Sequence, residues 1–540
     1  MNTNRLIHFI VSIVSLLLFT NNVTKGQNVS NYLTGHINGS YENYTQYYMK
    51  DSKINAETPD NKFASNGFYK LDYNYGDFSA GIQYESYLPS IYGYFPTSTI
   101  NGSKIVNKYF NYSSSKFSLQ IGDCYEQFGS GLIFRAFENR QIGINNAIEG
   151  MKLNVMPTDY IKLKVIYGKT RELFDYSKTY TRGADAEIDL IPLFTSSKST
   201  STVNLTIGGS FVSKYEEYTG PQNDFPNTVN ALSGRMNYSS NHFSLSGEYV
   251  NKNSDPILLN NYSLKKGKAL QFNSAFTKNN FGVSVDCRAL SNMIFIADRD
   301  NENISIGLLN YLPALTKQHD NLTSNIYVYS AQPKGEIGFQ SDCYYTFKKN
   351  SSIGGKYGTT ISGNYSYYQS LNDSSDLLSF GKKKYYSDAN IELRKKWSKK
   401  LETTFMVQNI FYNGSLKVAS HPNVISNILA AGMIYKFAPK KSVRLKLEHL
   451  SAKNDKGNWA SAVTEFSFSS PFAFFASDLY NYGTSKIHYY NIGSSITNKS
   501  TRFSLAYGRQ REGLFCAGGV CRSIPASYGF TATLTTSFSN

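Results

Sequence analysis

The stretch Tyr69–Glu85, "YKLDYNYGDFSAGIQYE", decides how the rest of the chain is read. Tyr69, Leu71, Tyr73 and Tyr75 share one parity, and Lys70, Asp72 and Asn74 share the other. Gly76-Asp77 interrupts, and the pattern resumes with Phe78, Ala80, Ile82 and Tyr84 against Gln83 and Glu85. A period of two on either side of a turn dipeptide is a β-hairpin with one apolar and one polar face. The same pattern recurs along the chain. Ile161, Leu163, Val165 and Tyr167 oppose Lys162 and Lys164. Ile391 and Leu393 oppose Glu392, Arg394 and Lys396, and Val443, Leu445 and Leu447 oppose Arg444, Lys446 and Glu448.

A soluble sandwich would alternate in the same way, so two further features choose between the architectures. The first is the N-terminus. Arg5 precedes an apolar run from Ile7 to Phe19, and the small residue Gly26 follows. This reads as a secretory signal over residues 1–26, too short to span a bilayer as a helix. No later apolar run is long enough to do so either, and an exported chain can otherwise cross a membrane only as a closed barrel. The second is the connections. Short ones such as Gly76-Asp77, Ser113–Ser115, Ser240–His242 and Lys278–Asn280 alternate with long ones. The long ones run from about Leu88 to Gly102, Arg171 to Gly183, Glu216 to Pro226, Asn253 to Lys266 and Asp373 to Lys382, and the longest from about Ser291 to Gly335. Short turns on one rim and long loops on the other are the pattern of outer-membrane barrels. The last stretch, "YGFTATLTTSFSN", places Tyr528, Phe530, Ala532, Leu534 and Phe538 on one face, as a closing strand does. The expectation is an all-β, large antiparallel transmembrane barrel over residues 27–540, of about 24 strands. Charged residues cost roughly 2–4 kcal/mol at mid-bilayer on the lipid side. Lys70, Asp72, Glu85, Lys162, Lys164, Glu392, Arg394, Arg444, Lys446 and Glu448 are therefore assigned to the inner wall.

The chain has 540 residues, a net charge of +16 and 15% aromatic residues. A basic, aromatic-rich composition can serve nucleic acid. Here the cations are scattered singly among strands and turns, with no recognition motif, and the chain is exported; nucleic acid is not an expected partner. Expected partners are outer-membrane lipid and lipopolysaccharide, and proteins at the loops or periplasmic turns; Arg509 and Arg511 near the outer rim either contact lipopolysaccharide or close an ion-pair network.

One stretch breaks the alternation. In "GDCYEQFGSGLIFRAFENR", Gly122–Arg140, glycines and aromatics crowd with Asp123, Glu126, Arg135, Glu138 and Arg140. Gly129 and Gly131 allow sharp bends, and "LIFRAF" is too apolar for a solvated loop. We read residues 126–146 as a loop folded into the lumen, with Arg135 and Arg140 paired to Glu126, Glu138 and wall carboxylates. The five charged residues are candidates for a constriction.

Little else suggests chemistry. Cys516 and Cys521 flank Gly518-Gly519 in an outer loop, residues 511–525, and are expected to form a disulfide; two thiols without a nearby His make a poor metal site. Cys124, Cys287 and Cys343 fall in strand-like segments, leaving at least one free thiol. Seven histidines include no HExxH or other spaced ligand set, and no metal or cofactor is expected. His449 continues an outward apolar face, and an interface girdle accounts for it better than lipid chemistry. No catalytic residue is assigned.

The segments "GDCYEQFGSGLIFRAFENRQIGINNAIEG" and "YGRQREGLFCAGGVCRSIPAS…TTSF" resemble a family of uncharacterised outer-membrane barrel proteins from the Bacteroidota, a domain of unknown function. The resemblance implies fold and location across most of the mature chain, and brings no activity or site residue with it. The functional expectation is a non-enzymatic, porin-like channel or transporter for polar solutes with a loop-narrowed lumen. The alternatives are a non-conducting scaffold in a surface export or assembly complex, and a lipid-modifying barrel enzyme.

Overall fold

The computed structural model describes residues 35–540 apart from 96–98, 195–201, 223, 374–375, 417–419, 470 and 518–519. The signal segment and the Gly518-Gly519 pair lie outside the described residues. Twenty-four strands form one antiparallel sheet that closes on itself. The first, His36–Tyr48, pairs with the last, Ser527–Ser539, from Asn38↔Ser539 to Tyr48↔Gly529. Six shorter strands form three hairpins within the loops. No described helix is long and apolar enough to cross a membrane.

The period of two explains the wall. Leu71, Ile82, Phe110, Ile121, Met236, Ile391, Val407, Leu429, Leu447 and Ile492 point outward, each between 41% and 60% exposed. Their sequence neighbours of the other parity point into the lumen. Exposed apolar surface this continuous exceeds the few hundred Å² that soluble monomers tolerate. Aromatic rings, including Tyr75, Tyr215 and Phe538, are exposed at strand ends.

Three expected features of the rims are corrected. The segment Arg171–Gly183 is not a long loop: the strands Ile161–Glu172 and Asp175–Asp189 continue through it and turn at Leu173-Phe174. Its outward residues are Lys178, Tyr180, Arg182 and Ala184 rather than large apolar groups, so the alternation was hidden. Conversely, residues 190–203 make a longer connection on the short-turn rim, opened by the helical turn Ile191–Phe194. The expected short turn Lys348–Ser352 is likewise a longer connection, residues 348–358, while Asn253–Lys266 and residues 292–334 are long connections and Gly76-Asp77 and Asn279-Asn280 are tight turns as expected.

Candidate functional site: two loops across the lumen

A wall of 24 strands encloses a lumen wider than those of the roughly 16–18-stranded barrels that already hold aqueous channels. What fills it is the candidate site. The loop between the strands Phe117–Cys124 and Ile148–Thr158 turns inward as two small hairpins. These are Glu126–Phe128 with Phe134–Ala136, and Glu138–Asn139 with Ile144–Asn145. Gly129 takes φ +52°, and a side chain there would meet the Glu248 carboxylate 2.7 Å away. That carboxylate instead accepts the Ser130 N–H at 2.8 Å, which pins the bend to the wall. Phe128, Leu132, Ile133 and Phe134 are fully buried and share one core with inner-wall residues Ile166, Val212, Val229, Val250, Ala269 and Leu290. The apolarity of "LIFRAF" thus has its cause in six strands of wall.

The longest connection, residues 292–334, also turns inward; its apolar run Met293–Ala297 was the signal that sequence reasoning passed over. Met293, Phe295, Ala297 and Leu309 join the core of the shorter loop. Ala314, Tyr327 and Tyr329 form a second core with Tyr368, Tyr386, Met406, Ile410, Ile428, Leu450 and Trp459 on the opposite wall. The two loops are laced together by backbone. Arg135 N donates to Leu309 O at 2.8 Å and Tyr311 N to Gly131 O at 2.9 Å. Asn310 Nδ2 bridges to Leu132 O and Met293 O, at 3.1 and 2.7 Å. A third core joins Phe68 and Tyr87 of the wall to Tyr94 and Phe95 of the loop after Tyr87. The hairpin Gly513–Ala517 with Val520–Ile524 lies against the same assembly: Arg522 donates to Gly93 O and Gln141 O, and Arg511 to Asn325 O. Together these segments make a slab that meets the inner wall around its circumference.

Each expected site residue has a place. Arg140 pairs with Glu138 and with wall residue Glu42, both at 2.9 Å, and stacks over Phe68. Glu126 pairs with a wall lysine, Lys164 at 2.9 Å, with Lys152 at 4.0 Å, and not with a loop arginine. Arg135 is a correction: among the described residues it meets no carboxylate. Its guanidinium lies 4.0 Å from the Tyr311 ring centre and 4.8 Å from that of Phe137, because the longer loop supplies an aromatic face there. Asp123 is a second correction. It is not part of a constriction but stays on the wall strand, accepting the Lys108 N–H at 2.9 Å and the Tyr176 hydroxyl at 3.1 Å. Its strand pairs with Gly102–Ser113 only as far as Tyr109↔Gly122, and the carboxylate takes the N–H that lies just beyond.

The inner-wall charges divide by height. Near the slab they hold it. Glu448 accepts the N–H groups of Leu322 and Thr323 at 3.2 and 2.8 Å. Arg444 and Lys446 pair with Asp320 of the long loop at 2.7 and 2.8 Å. Glu85 is buried and takes two hydrogen bonds from Arg171, at 3.1 and 2.7 Å. Towards the short turns the wall is wet. Lys70, paired with Asp72 at 3.2 Å, Arg394 and Glu465 keep 43–55% of their side chains exposed, while Lys162 is exposed and Glu392 half-buried. The long loop has anchors that sequence reasoning did not find. Lys214 and Lys252 reach Asp255 at 2.8 and 3.2 Å and donate to Ile296 O and Ile294 O. Asp388 contacts His319 at 2.7 Å, and Glu336 accepts from Tyr329 at 2.6 Å. Burial pushes the Asp255 carboxyl up, but Lys214 and Lys252 outweigh it and hold the group below the usual carboxylate range. Lys446 and Arg444 do the same for Asp320 against its burial.

Cys516 and Cys521 form a disulfide; Cys124 is a free thiol buried in the core shared by the short loop and the wall, and Cys287 and Cys343 are free. His449 contacts the Tyr482 hydroxyl and stacks on its ring. Arg509 pairs with Asp51 at 2.5 Å. No group of three or more His, Cys, Asp or Glu suited to a metal occurs among the described residues.

A model described as a family of unknown function, DUF6029, matches residues 4–538. The chain belongs to the DUF6029 family. A search of curated proteins returns no match. Among solved structures, the chain is similar to the translocation pore of the P pilus usher PapC, with 8% identity and a TM-score of 0.44, over 93% of this chain and 99% of that one. It is similar to the siderophore receptor PirA from Pseudomonas aeruginosa at 7% identity and 0.40, over 93% and 80%. It is also similar to OccAB3 of Acinetobacter baumannii at 10% identity and 0.34, over 94% and 99%. These low scores carry no argument about what the DUF6029 chain does.

Proposed function

We propose that this DUF6029 protein is a bacterial outer-membrane barrel, exported by a cleaved signal, that acts as a gated conduit for polar solutes. In the state described here the conduit is closed at its long-loop rim. The observation that carries this reading is the single core shared by the two inward loops and the wall, laced from Arg135–Leu309 to Asn310–Leu132. The outward apolar band seats the barrel among lipids, including lipopolysaccharide at the upper rim. The exposed charges near the short turns line a wet cup that opens to the other side. Passage then requires one loop to leave the slab, and nothing in this role requires catalysis. Planar-bilayer recording of the full chain tests it. The intact protein gives at most brief openings, and a variant with residues 126–146 replaced by a short Gly/Ser linker gives steady conductance steps. A silent variant defeats the conduit reading, and large steady steps from the intact protein defeat the closure.

A second reading, a non-conducting scaffold for a surface export or assembly complex, is favoured by the depth of the slab's burial. Phe128, Ile133, Phe134 and Phe295 are as enclosed as residues of a domain core. Stable partners retained through detergent extraction, together with silence of the loop variant, would support it.

A further inference from the structure

At the long-loop rim, Lys178, Tyr180, Tyr215, the segment Glu216–Gly220 and Arg299-Asp300 of the long loop line a cavity of about 570 Å³, within the range of small-molecule sites. Its tyrosines are partly exposed, Tyr180 backed by the Tyr167 ring at 6.0 Å and Tyr218 by Phe225 at 5.0 Å. Tyr180 and Tyr215 sit directly opposite each other on adjacent strands, and each is 42% exposed. Arg299 is built in: its side chain is only 3% exposed and pairs with Glu216 at 3.4 Å, and its Nη2 donates to Pro226 O at 2.9 Å. The Tyr218 ring stacks on its guanidinium at 4.7 Å. Its Nη1 is buried and meets no partner among the described residues.

We propose that this cavity binds the sugar rings of a neutral glycan. Three properties select that chemistry. Flat tyrosine faces suit the apolar side of a sugar ring. Two cations, Lys178 and Arg299, stand against three carboxylates, Glu216, Glu217 and Asp300, so the cavity disfavours an anion. A hydroxyl both accepts and donates, so a sugar ring can accept from the exposed Lys178 while donating to the exposed Glu217. The glycan comes either as a free oligosaccharide or on a lipid of the surrounding leaflet. The site needs no movement of the slab and stands or falls independently of the conduit.

The test uses the full chain in nanodiscs and saturation-transfer NMR, with neutral glucan, mannan and galactan heptasaccharides and an acidic galacturonan of equal length as probes. At least one neutral probe binds, and the acidic probe binds more weakly. Glu217→Gln and Tyr215→Ala, both at exposed positions, each weaken binding by at least about tenfold while the heat-modifiable mobility of the barrel on gels is unchanged. Nanodiscs containing lipopolysaccharide distinguish the sources: loss of probe binding there assigns the site to a lipid-borne glycan, and unchanged binding assigns it to a free one. Failure of every neutral probe in nanodiscs free of lipopolysaccharide, stronger binding of the acidic probe, or unchanged binding by both variants would overturn the proposal.

Discussion

The two loops that cross the lumen reach the same end by different means. The short one, residues 125–147, carries its own apolar side chains into a wall that is locally apolar, and few charges hold it. The long one, residues 292–334, brings apolar side chains too, in the run Met293–Ala297 and at Leu309, Tyr327 and Tyr329, but wall charges and amide groups also hold it from Lys214 and Lys252 on one side to Glu448 and Lys446 on the other. An inward loop can therefore be stabilised by what it brings or by what it meets. Only the first kind is visible in the loop's own sequence.

Replacing residues 294–332 by a short linker should have the largest effect. It removes one face of the shared core as well as most of the second, and conductance in planar bilayers should exceed that of the 126–146 replacement. Equal conductance would mean that loss of either loop opens the lumen to the same extent. Next, Asp255→Ala leaves Lys214 and Lys252 buried without their carboxylate and should destabilise by about 3–5 kcal/mol, read as a lower urea midpoint; Asp255→Asn should recover part of it. Phe134→Ala tests the apolar loop. The buried ring's loss should cost about 3–5 kcal/mol at most, and it should open the short loop to protease while the long loop stays protected. Loss of protection in both would show one unit rather than two. Cys516→Ser should cost about 2 kcal/mol at most, since the bridged segment is short. Its effect should be confined to hydrogen exchange in the hairpin over the slab.

The smallest effect concerns pH. Asp255 and Asp320 are held below the usual carboxylate range, so their folded values lie under their unfolded ones. Their contribution is full above the unfolded value of about 3.9 and is lost as pH falls through the lower folded value. Acidification from neutral to the mid-carboxylate range should therefore leave the long loop closed, as channel recordings can show. Opening well above that range would mean that another group controls the long loop.

Much of the wall was legible because a barrel strand writes its orientation in every residue. Lys70, Lys162, Arg394 and Arg444 were assignable to the lumen from parity alone, since each has outward apolar neighbours. The short loop was legible because "LIFRAF" has nowhere else to go. The strand Asp175–Asp189 was missed because its outward face carries lysine, arginine and alanine. Arg135 was misread because its partner, Tyr311, is 176 positions away in a loop whose direction the sequence does not show.

By itself, then, the sequence determined the period of two, the two rims and the sidedness of the wall, all of which are local consequences of backbone geometry and the cost of charge in lipid. The tertiary structure decided the ring of 24, the inward turn of the long loop, the exchange of an ion pair for an aromatic face at Arg135 and the cavity around Arg299. These depend on which distant strands closure brings face to face, and pairing across a closed ring is not encoded in any one stretch of chain.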